Sequence, residues 1–252
     1  MIIAIVLTRD EAAHVGACLD ALDWADRRLV FDAFSTDETV AIARARGAEV
    51  IQHAFVDFAS QRNAALAAAG PGGDDWVLFV DADERVTPAL AREIRATTAA
   101  APAHAAGYAI PRDNYLFGRL TRGAGYWPDH QLRLLRVGRA RYTGAASEVA
   151  QLDGEAGTLR QPLTHYNYVS LEQFHAKQRL REPFEVDNLR RQGVRAKVYT
   201  PYLQFAREFW RRYVTLGGYR EGRHGLRLAL LLAYYLGYRT YRALRAEGGA
   251  GG

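Results

Sequence analysis

The run Trp76-Val77-Leu78-Phe79-Val80 stops abruptly at Asp81-Ala82-Asp83-Glu84-Arg85. Five consecutive apolar residues, preceded by Asp74-Asp75, predict a strand buried on both faces. Strands of that kind belong to parallel sheets covered by helices, and in open sheets ligands sit outside the carboxyl ends of the strands. Asp81 and Asp83 therefore belong at the rim of a pocket. Two hard oxygen donors held so close favour a hard divalent cation, Mg²⁺ or Mn²⁺, which takes its other ligands from water and substrate phosphates. The plainer alternative is a solvated acidic loop that caps a helix, and the rest of the chain decides between the two.

The chain before this point alternates apolar runs with helical patterns. Residues 1–7 predict a strand, and 11–22 a helix with Val15, Leu19 and Leu22 on one face. A second strand at 28–31 runs into Asp32, and Ser35 or Thr36 is expected to cap the next helix. Gly47 ends that helix, 49–53 is a third strand, and 58–69 a helix carrying Gln61-Arg62-Asn63. The order β-α-β-α-β-α-β implies a parallel sheet with right-handed crossovers. No Gly-x-Gly-x-x-Gly follows the first strand and no Gly-Lys-Ser/Thr follows any strand, which excludes the usual dinucleotide and P-loop signatures. The strand ends instead carry Asp10/Glu11, Asp32 and Asp81/Asp83. Such carboxylates suit ribose hydroxyl and base N–H donors, with one pair left for metal.

Further on, short strands are expected at 108–110 and 115–117, a mobile Gly- and Arg-rich segment at 118–125, and strands at 131–137, 142–152 and 158–163. Helices follow at 171–192, interrupted near Pro183, at 201–214 and at 225–245. The net charge of +5 is uneven: from position 170 onward 16 basic residues face 7 acidic ones. The uncharged stretch 228–238 is too short for a span, which needs roughly 20 residues. Two readings stay open for this tail. It packs on the catalytic domain, or it lies in an anionic membrane interface with Arg223, Arg227, Arg239, Arg242 and Arg245 near headgroups. A single Cys18 excludes an internal disulfide and points to core packing. The first residues lack a basic leader and a cleavage site, so a cytoplasmic protein is expected.

Taken together, Thr8-Arg9-Asp10-Glu11, Asp32-x-x-Ser35-x-Asp37-x-Thr39, Gln61-Arg62-Asn63, Asp81-Ala82-Asp83-Glu84-Arg85 and Pro128-Asp129-x-Gln131-x-Arg133-Leu134 resemble the family 2 inverting glycosyltransferases. More narrowly, the set is similar to the bacterial branch that adds glucose or a related sugar to the lipopolysaccharide inner core. The resemblance covers residues 1–168, with a weaker echo in the tail. It implies a GT-A fold, a Rossmann-like mostly parallel sheet flanked by helices, with residues 1–168 as catalytic domain and 169–252 as a basic helical extension. It also implies a UDP-sugar donor and Mg²⁺ or Mn²⁺. On this resemblance Thr8, Glu11 and Asp32, with Ser35, Gln61 and Asn63, hold the nucleotide. Asp81 and Asp83 hold metal and diphosphate, Arg133 lies near the phosphates, and His165 approaches the metal. The sequence departs from the family at Asp10, where Asn is usual, at Glu38, where Gly is usual, and at Ser147-Glu148, where His-Glu is frequent.

Glycosyl transfer with inversion needs a stabilised leaving diphosphate and a base for the acceptor hydroxyl. Asp129, after an aromatic-Pro turn, and Glu148, after Gly-Ala-Ala-Ser, are the two candidates for the base, against the alternative that each is a surface carboxylate. Tyr126 and Trp127 offer a plane for a sugar ring, or core packing. The expected reaction moves a hexose, glucose favoured, from a UDP-sugar to a cell-envelope glycan or glycolipid, the lipopolysaccharide core in particular, at the inner face of the cytoplasmic membrane. Rivals are a phosphatase of the haloacid-dehalogenase type and a non-catalytic membrane-binding module. In the phosphatases the Asp-x-Asp pair follows the first strand, whereas here it follows the fourth. Nucleic acid is not an expected partner, because rim carboxylates repel its phosphates.

Overall fold

The computed structural model describes residues 1–71, 73–144 and 149–248. The chain forms two compact units: Met1–Arg112 with His130–His165, and Asp113–Asp129 with Tyr166 onward.

In chain order the elements up to the first interruption are β1 (Ile2–Thr8), α1 (Val15–Asp20), β2 (Arg27–Asp32), α2 (Thr39–Ala45), β3 (Glu49–Gln52), α3 (Phe58–Ala68), β4 (Trp76–Asp81), β5 (Glu84–Arg85) and α4 (Pro88–Ala99). β6 (Ala105–Leu116), β7 (Arg119–Thr121), β8 (His130–Arg136), β9 (Ala140–Thr143), β10 (Val149–Leu152), β11 (Glu155–Thr158) and β12 (Leu163–Tyr168) follow. The main sheet runs β3-β2-β1-β4-β8-β6-β12-β5. Its first four strands are parallel, with Ile5 opposite both Leu29 and Phe79, and β8 then joins β4 antiparallel.

Alternation along β1 divides the core. Ala4 and Val6 pack with Leu19, Leu22, Leu90 and Ile94 on one face, while Ile3 and Ile5 pack with Phe31, Phe79 and Ala65 on the other. Each Val, Leu, Ile or Phe so buried stabilises the fold by about 1.5–3 kcal/mol. A strand covered on both faces has its polar side chains only at its end, which is how β1, β2 and β4 deliver Thr8, Asp32 and Asp81 to one edge.

Several elements differ from the sequence expectation for local reasons. α1 starts at Val15 rather than at residue 11, and the backbone N–H groups of Glu11 and Ala12 donate to Thr39 and Asp37 across the next loop. α2 starts at Thr39 with no side-chain cap, since Ser35 already bonds Asp32 and the Asp10 N–H. The two short strands around Arg112 are one strand, β6, paired with β8 at its start and β7 at its end. β7 itself lies in the segment expected to be mobile. Where a single strand was expected at 142–152, the described residues form the end of β9 and all of β10, which pair antiparallel with Tyr142 opposite Ala150. Instead of a strand at 158–163, β11 ends at Thr158 and β12 starts at Leu163.

The second unit holds α5 (Leu171–Arg191), α6 (Thr200–Trp210) with a π turn at Arg211–Thr215, a 3-10 turn at Gly218–Glu221, α7 (Gly222–Leu232), a π segment Ala233–Arg239 and α8 (Thr240–Gly248). α5 is capped by Ser170 and passes through Pro183 without the expected interruption. The expected single helix at 225–245 is instead α7, the π segment and α8 in succession. Leu116, Tyr168, Phe174, Leu228, Leu232 and Tyr235 form the core of this unit. A Cβ on Gly225 would lie 1.9 Å from the Gly218 carbonyl oxygen, so only glycine lets α7 meet that turn. Among the described residues no helix is long and apolar enough to cross a membrane.

Candidate active site

The ends of β1 and β2 form a hydrogen-bonded corner. Thr8 Oγ1 donates to Asp32 Oδ1 over 3.0 Å, and Ser35 N and Gln52 Nε2 donate to Asp32 Oδ2 over 2.9 and 3.2 Å. The Ser35 hydroxyl adds a short bond to Oδ1. Burial pushes the Asp32 carboxyl up, but these donors outweigh it and hold it below the ordinary 3.8. Asp10, at φ +55°, accepts from Thr36 N over 2.7 Å, and Glu11 N donates to Thr39 Oγ1 over 2.8 Å. Ser35, Asp37 and Thr39 thus fasten the loop after β1 to the loop after β2, a role the sequence did not reveal.

A charged cluster occupies the end of β4. Arg133, buried on β8, donates from Nη1 to Asp81 Oδ1 over 3.1 Å, from Nη2 to Asp81 Oδ2, and from Nη2 to Glu84 Oε1 over 3.0 Å. Arg62 Nη2 stands 3.8 Å from Asp81 Oδ1, and Arg112 Nη1 bonds Glu84 Oε1 over 3.3 Å. Glu84, fully buried, also accepts from Asp81 N over 2.9 Å. Burial raises the Glu84 carboxyl. Burial opposes ionisation at Asp81 too, but Arg133 and then Arg62 overcome it and hold Asp81 well below the usual carboxylate range. Glu84, Arg62 and Arg112 carried no role in the sequence reading, because nothing local marks a buried ion cluster. Cys18 lies beneath the same turn, its Sγ 3.6 Å from the Asp81 carbonyl, and burial pushes its thiol up to about 12. It packs as expected.

Asp83 is brought together with His165. β5 and β12 pair antiparallel with Glu84 opposite His165, which sets His165 Nε2 3.5 Å from Asp83 Oδ2. A carboxylate and an imidazole at that separation fit a divalent cation that completes its shell with water and phosphate oxygens. Asp81 differs from the expected arrangement, since both its oxygens accept from Arg133. Among the described residues no group of three or more His, Cys, Asp or Glu side chains is set to hold a metal.

The triplet on α3 splits into separate tasks. Gln61 Oε1 meets His53 Nδ1 at 3.0 Å. The Arg62 guanidinium lies 5.0 Å from the Phe79 ring centre and 5.4 Å from that of Tyr142. Asn63 Nδ2 donates to the Tyr142 carbonyl and Asn63 Oδ1 accepts the Tyr142 N–H, both over 2.8 Å, so its amide clamps β9.

Asp129 belongs to the second unit. Asn114, fully buried, donates from Nδ2 to Asp129 Oδ2 over 3.2 Å and to the Tyr126 carbonyl over 3.1 Å. The Arg122 guanidinium covers Trp127 at 4.7 Å and is bonded to Asp113. Glu148, the other candidate base, lies outside the described residues.

Comparison with known proteins bears on this arrangement. The chain is 26% identical over 250 residues to the lipopolysaccharide core biosynthesis glycosyltransferase LpsC of Rhizobium meliloti, covering 91% of this chain and 89% of that protein. Among solved structures it is similar to the mannosyltransferase PcManGT of Pyrobaculum calidifontis, solved with GDP-Man and Mn²⁺, at 17% identity and a TM-score of 0.49, over 99% of this chain and 79% of that one. It is also similar to glucosyl-3-phosphoglycerate synthase of Mycobacterium tuberculosis, at 17% identity and a TM-score of 0.45, over 77% of this chain and 80% of that one. The family model described as glycosyl transferase family 2 matches residues 3–148, more than half of the chain and every strand of the parallel half of the sheet. The fold is the GT-A arrangement, a mostly parallel sheet flanked by helices with a helical C-terminal region, and the protein belongs to glycosyl transferase family 2.

Proposed function

We propose that this glycosyltransferase transfers a hexose, glucose favoured, with inversion from a UDP-sugar to a hydroxyl of a membrane glycolipid of the lipopolysaccharide core, using Mg²⁺ or Mn²⁺. The observation that carries the reading is the meeting of Asp83 and His165 beside the Arg133–Asp81 pair at the end of β4. The LpsC relative, which covers most of both chains, supports the acceptor class. Family membership leaves the phosphatase and the non-catalytic module without support.

Asp83 and His165 are the protein ligands of the cation, which when bound supplies positive charge to the leaving diphosphate. Arg62, Arg112 and Arg133 stand beside Asp81 and Glu84 in the adjoining cluster, and their guanidinium groups bring positive charge toward the same diphosphate. Asp81 and Glu84 hold the Arg133 guanidinium still, so its charge needs no reorganisation when the phosphates arrive. Asp32, fully buried and kept ionised by Thr8, Ser35 and Gln52, serves the nucleoside by holding Thr8 and Ser35 in place at the rim that Glu11 shares. Gln61 and Asn63 serve this side by fixing His53 and β9. Asp129 is the base that removes the acceptor proton, a role worth about 10²–10⁴-fold.

Thermal unfolding with UDP and Mn²⁺ tests the reading. A rise in melting temperature that requires both, and that disappears in Asp83→Ala and His165→Ala, is expected. A rise with UDP alone that both variants retain overturns the assigned metal ligands.

A further inference from the structure

α7 is apolar on two faces. Gly225, Leu228, Ala229 and Leu232 are buried in the unit's core, while Leu226 and Leu230 on the outer face remain 38% and 43% exposed. With Arg223, Arg227 and Leu231 they line a groove of about 380 Å³. These five residues follow helical spacing, so they form one stripe. The stripe continues into aromatic residues. Tyr234, 42% exposed, lies one turn beyond Leu230 and stacks on Tyr238 at 5.9 Å, and Tyr238 meets Tyr202 of α6, 63% exposed, at 5.4 Å. A Cβ on Gly237 would stand 2.7 Å from the Gln204 carbonyl, so glycine there permits α6 to lie this close.

The charges around the stripe identify its occupant. Arg223 is exposed and has no hydrogen bond or ion pair among the described residues. Arg227 rests on the Phe117 ring at 5.0 Å, which leaves its charge unneutralised. The nearest acid in sequence, Glu221, is turned inward, accepting from Arg122 N and Gly123 N over 3.0 Å and pairing with Arg119. Leucines flanked by unneutralised arginines and a tyrosine ladder match the three depths of a bilayer surface: acyl region, phosphate level and the aromatic zone between them.

We infer that the outer face of α7, extended by Tyr234, Tyr238 and Tyr202, docks this enzyme on an anionic phospholipid surface. The inference rests on the reading that the acceptor is a membrane glycolipid, and it gives that reading a place of contact. Each arginine near such a surface is worth about fivefold in partitioning at moderate salt, and the leucines add a salt-independent part.

The test is flotation of the full chain with vesicles of phosphatidylglycerol and phosphatidylethanolamine, against vesicles of phosphatidylcholine alone. The wild type floats with the former, Leu226→Ser/Leu230→Ser falls at least tenfold, and Arg223→Glu falls severalfold and loses the preference for anionic lipid. Equal flotation of both variants and the wild type overturns the inference, as does no flotation of the wild type. So does a wild-type dimer in light scattering that becomes a monomer in the double variant, which would mean that a second copy covers the face. The melting temperature and its rise with UDP and Mn²⁺ are read on every variant. A missing nucleotide effect with flotation intact defeats the donor assignment alone.

Discussion

Arg133 joins two carboxylates of a single turn: its Nη1 lies 3.1 Å from Asp81 Oδ1 while its Nη2 lies 3.0 Å from Glu84 Oε1. The guanidinium is buried, Glu84 is fully buried, and Asp81 reaches solvent. One side chain on β8 therefore sets the end of β4, both by charge and by a fork geometry that lysine cannot reproduce.

Replacing Arg133 by Met leaves Glu84 in the interior with fewer counter-charges. Removing one partner of a buried pair costs about 3–5 kcal/mol, and the solvent access of Asp81 brings the expectation to the lower end of that range. Urea unfolding measures it. Turnover of UDP-sugar is expected to fall about 10²-fold or more in the Arg133→Lys variant, which keeps the charge and loses the fork.

Asn63→Ala removes both hydrogen bonds that hold the Tyr142 backbone. The expected loss is about 1–3 kcal/mol of stability, because a buried N–H and carbonyl lose their partners. UDP affinity, measured by calorimetry, is expected to change less than stability does. A large affinity loss at unchanged stability would return Asn63 to direct nucleotide contact.

Asp32 contributes to the slope of the acid limb of stability, together with Asp81. Its folded carboxyl lies below the ordinary 3.8 because the Ser35, Gln52 and Thr8 bonds outweigh the effect of burial. A group depressed in the folded state stabilises above its unfolded value and ceases to do so as pH falls through the folded one. Wild type is therefore expected to lead Asp32→Asn by a constant margin above about pH 5, and the margin shrinks as pH falls below about 4. Urea midpoints between these limits measure it.

Asp129→Asn is expected to lower kcat by about 10²–10⁴-fold while the UDP and Mn²⁺ effect on melting temperature stays. Asn114 keeps a partner in this variant, since an amide oxygen accepts the same bond. Loss of the nucleotide effect along with kcat would reassign Asp129 to donor binding.

Much of the first unit was legible in the sequence. Apolar runs ending on Thr8, Asp32 and Asp81 are local patterns, and a strand buried on both faces shows its polar residues only where it ends. The helices between them were also legible, and α3 starts at Phe58 as expected, although α1 and α2 start later than the pattern suggests. Ser35 and Thr36 look like caps in sequence and are used elsewhere, because loop-to-loop bonds to Asp10 compete with the helix for the same hydroxyls. The second unit was less legible, since Leu and Tyr on every side of α7 and the following π segment give no single buried face.

By itself, the sequence determined the alternation of strands and helices from β1 to β4 and the residue types at those strand ends, since both depend on neighbours within a few positions. Tertiary structure decided which of those side chains meet. His165 reaches Asp83 only because β12 pairs with β5, and Arg133 reaches Asp81 only because β8 lies beside β4. These partners are separated by 82 and 52 positions in the chain. Contacts at such separations are set by sheet order and register, which no local pattern of residues encodes.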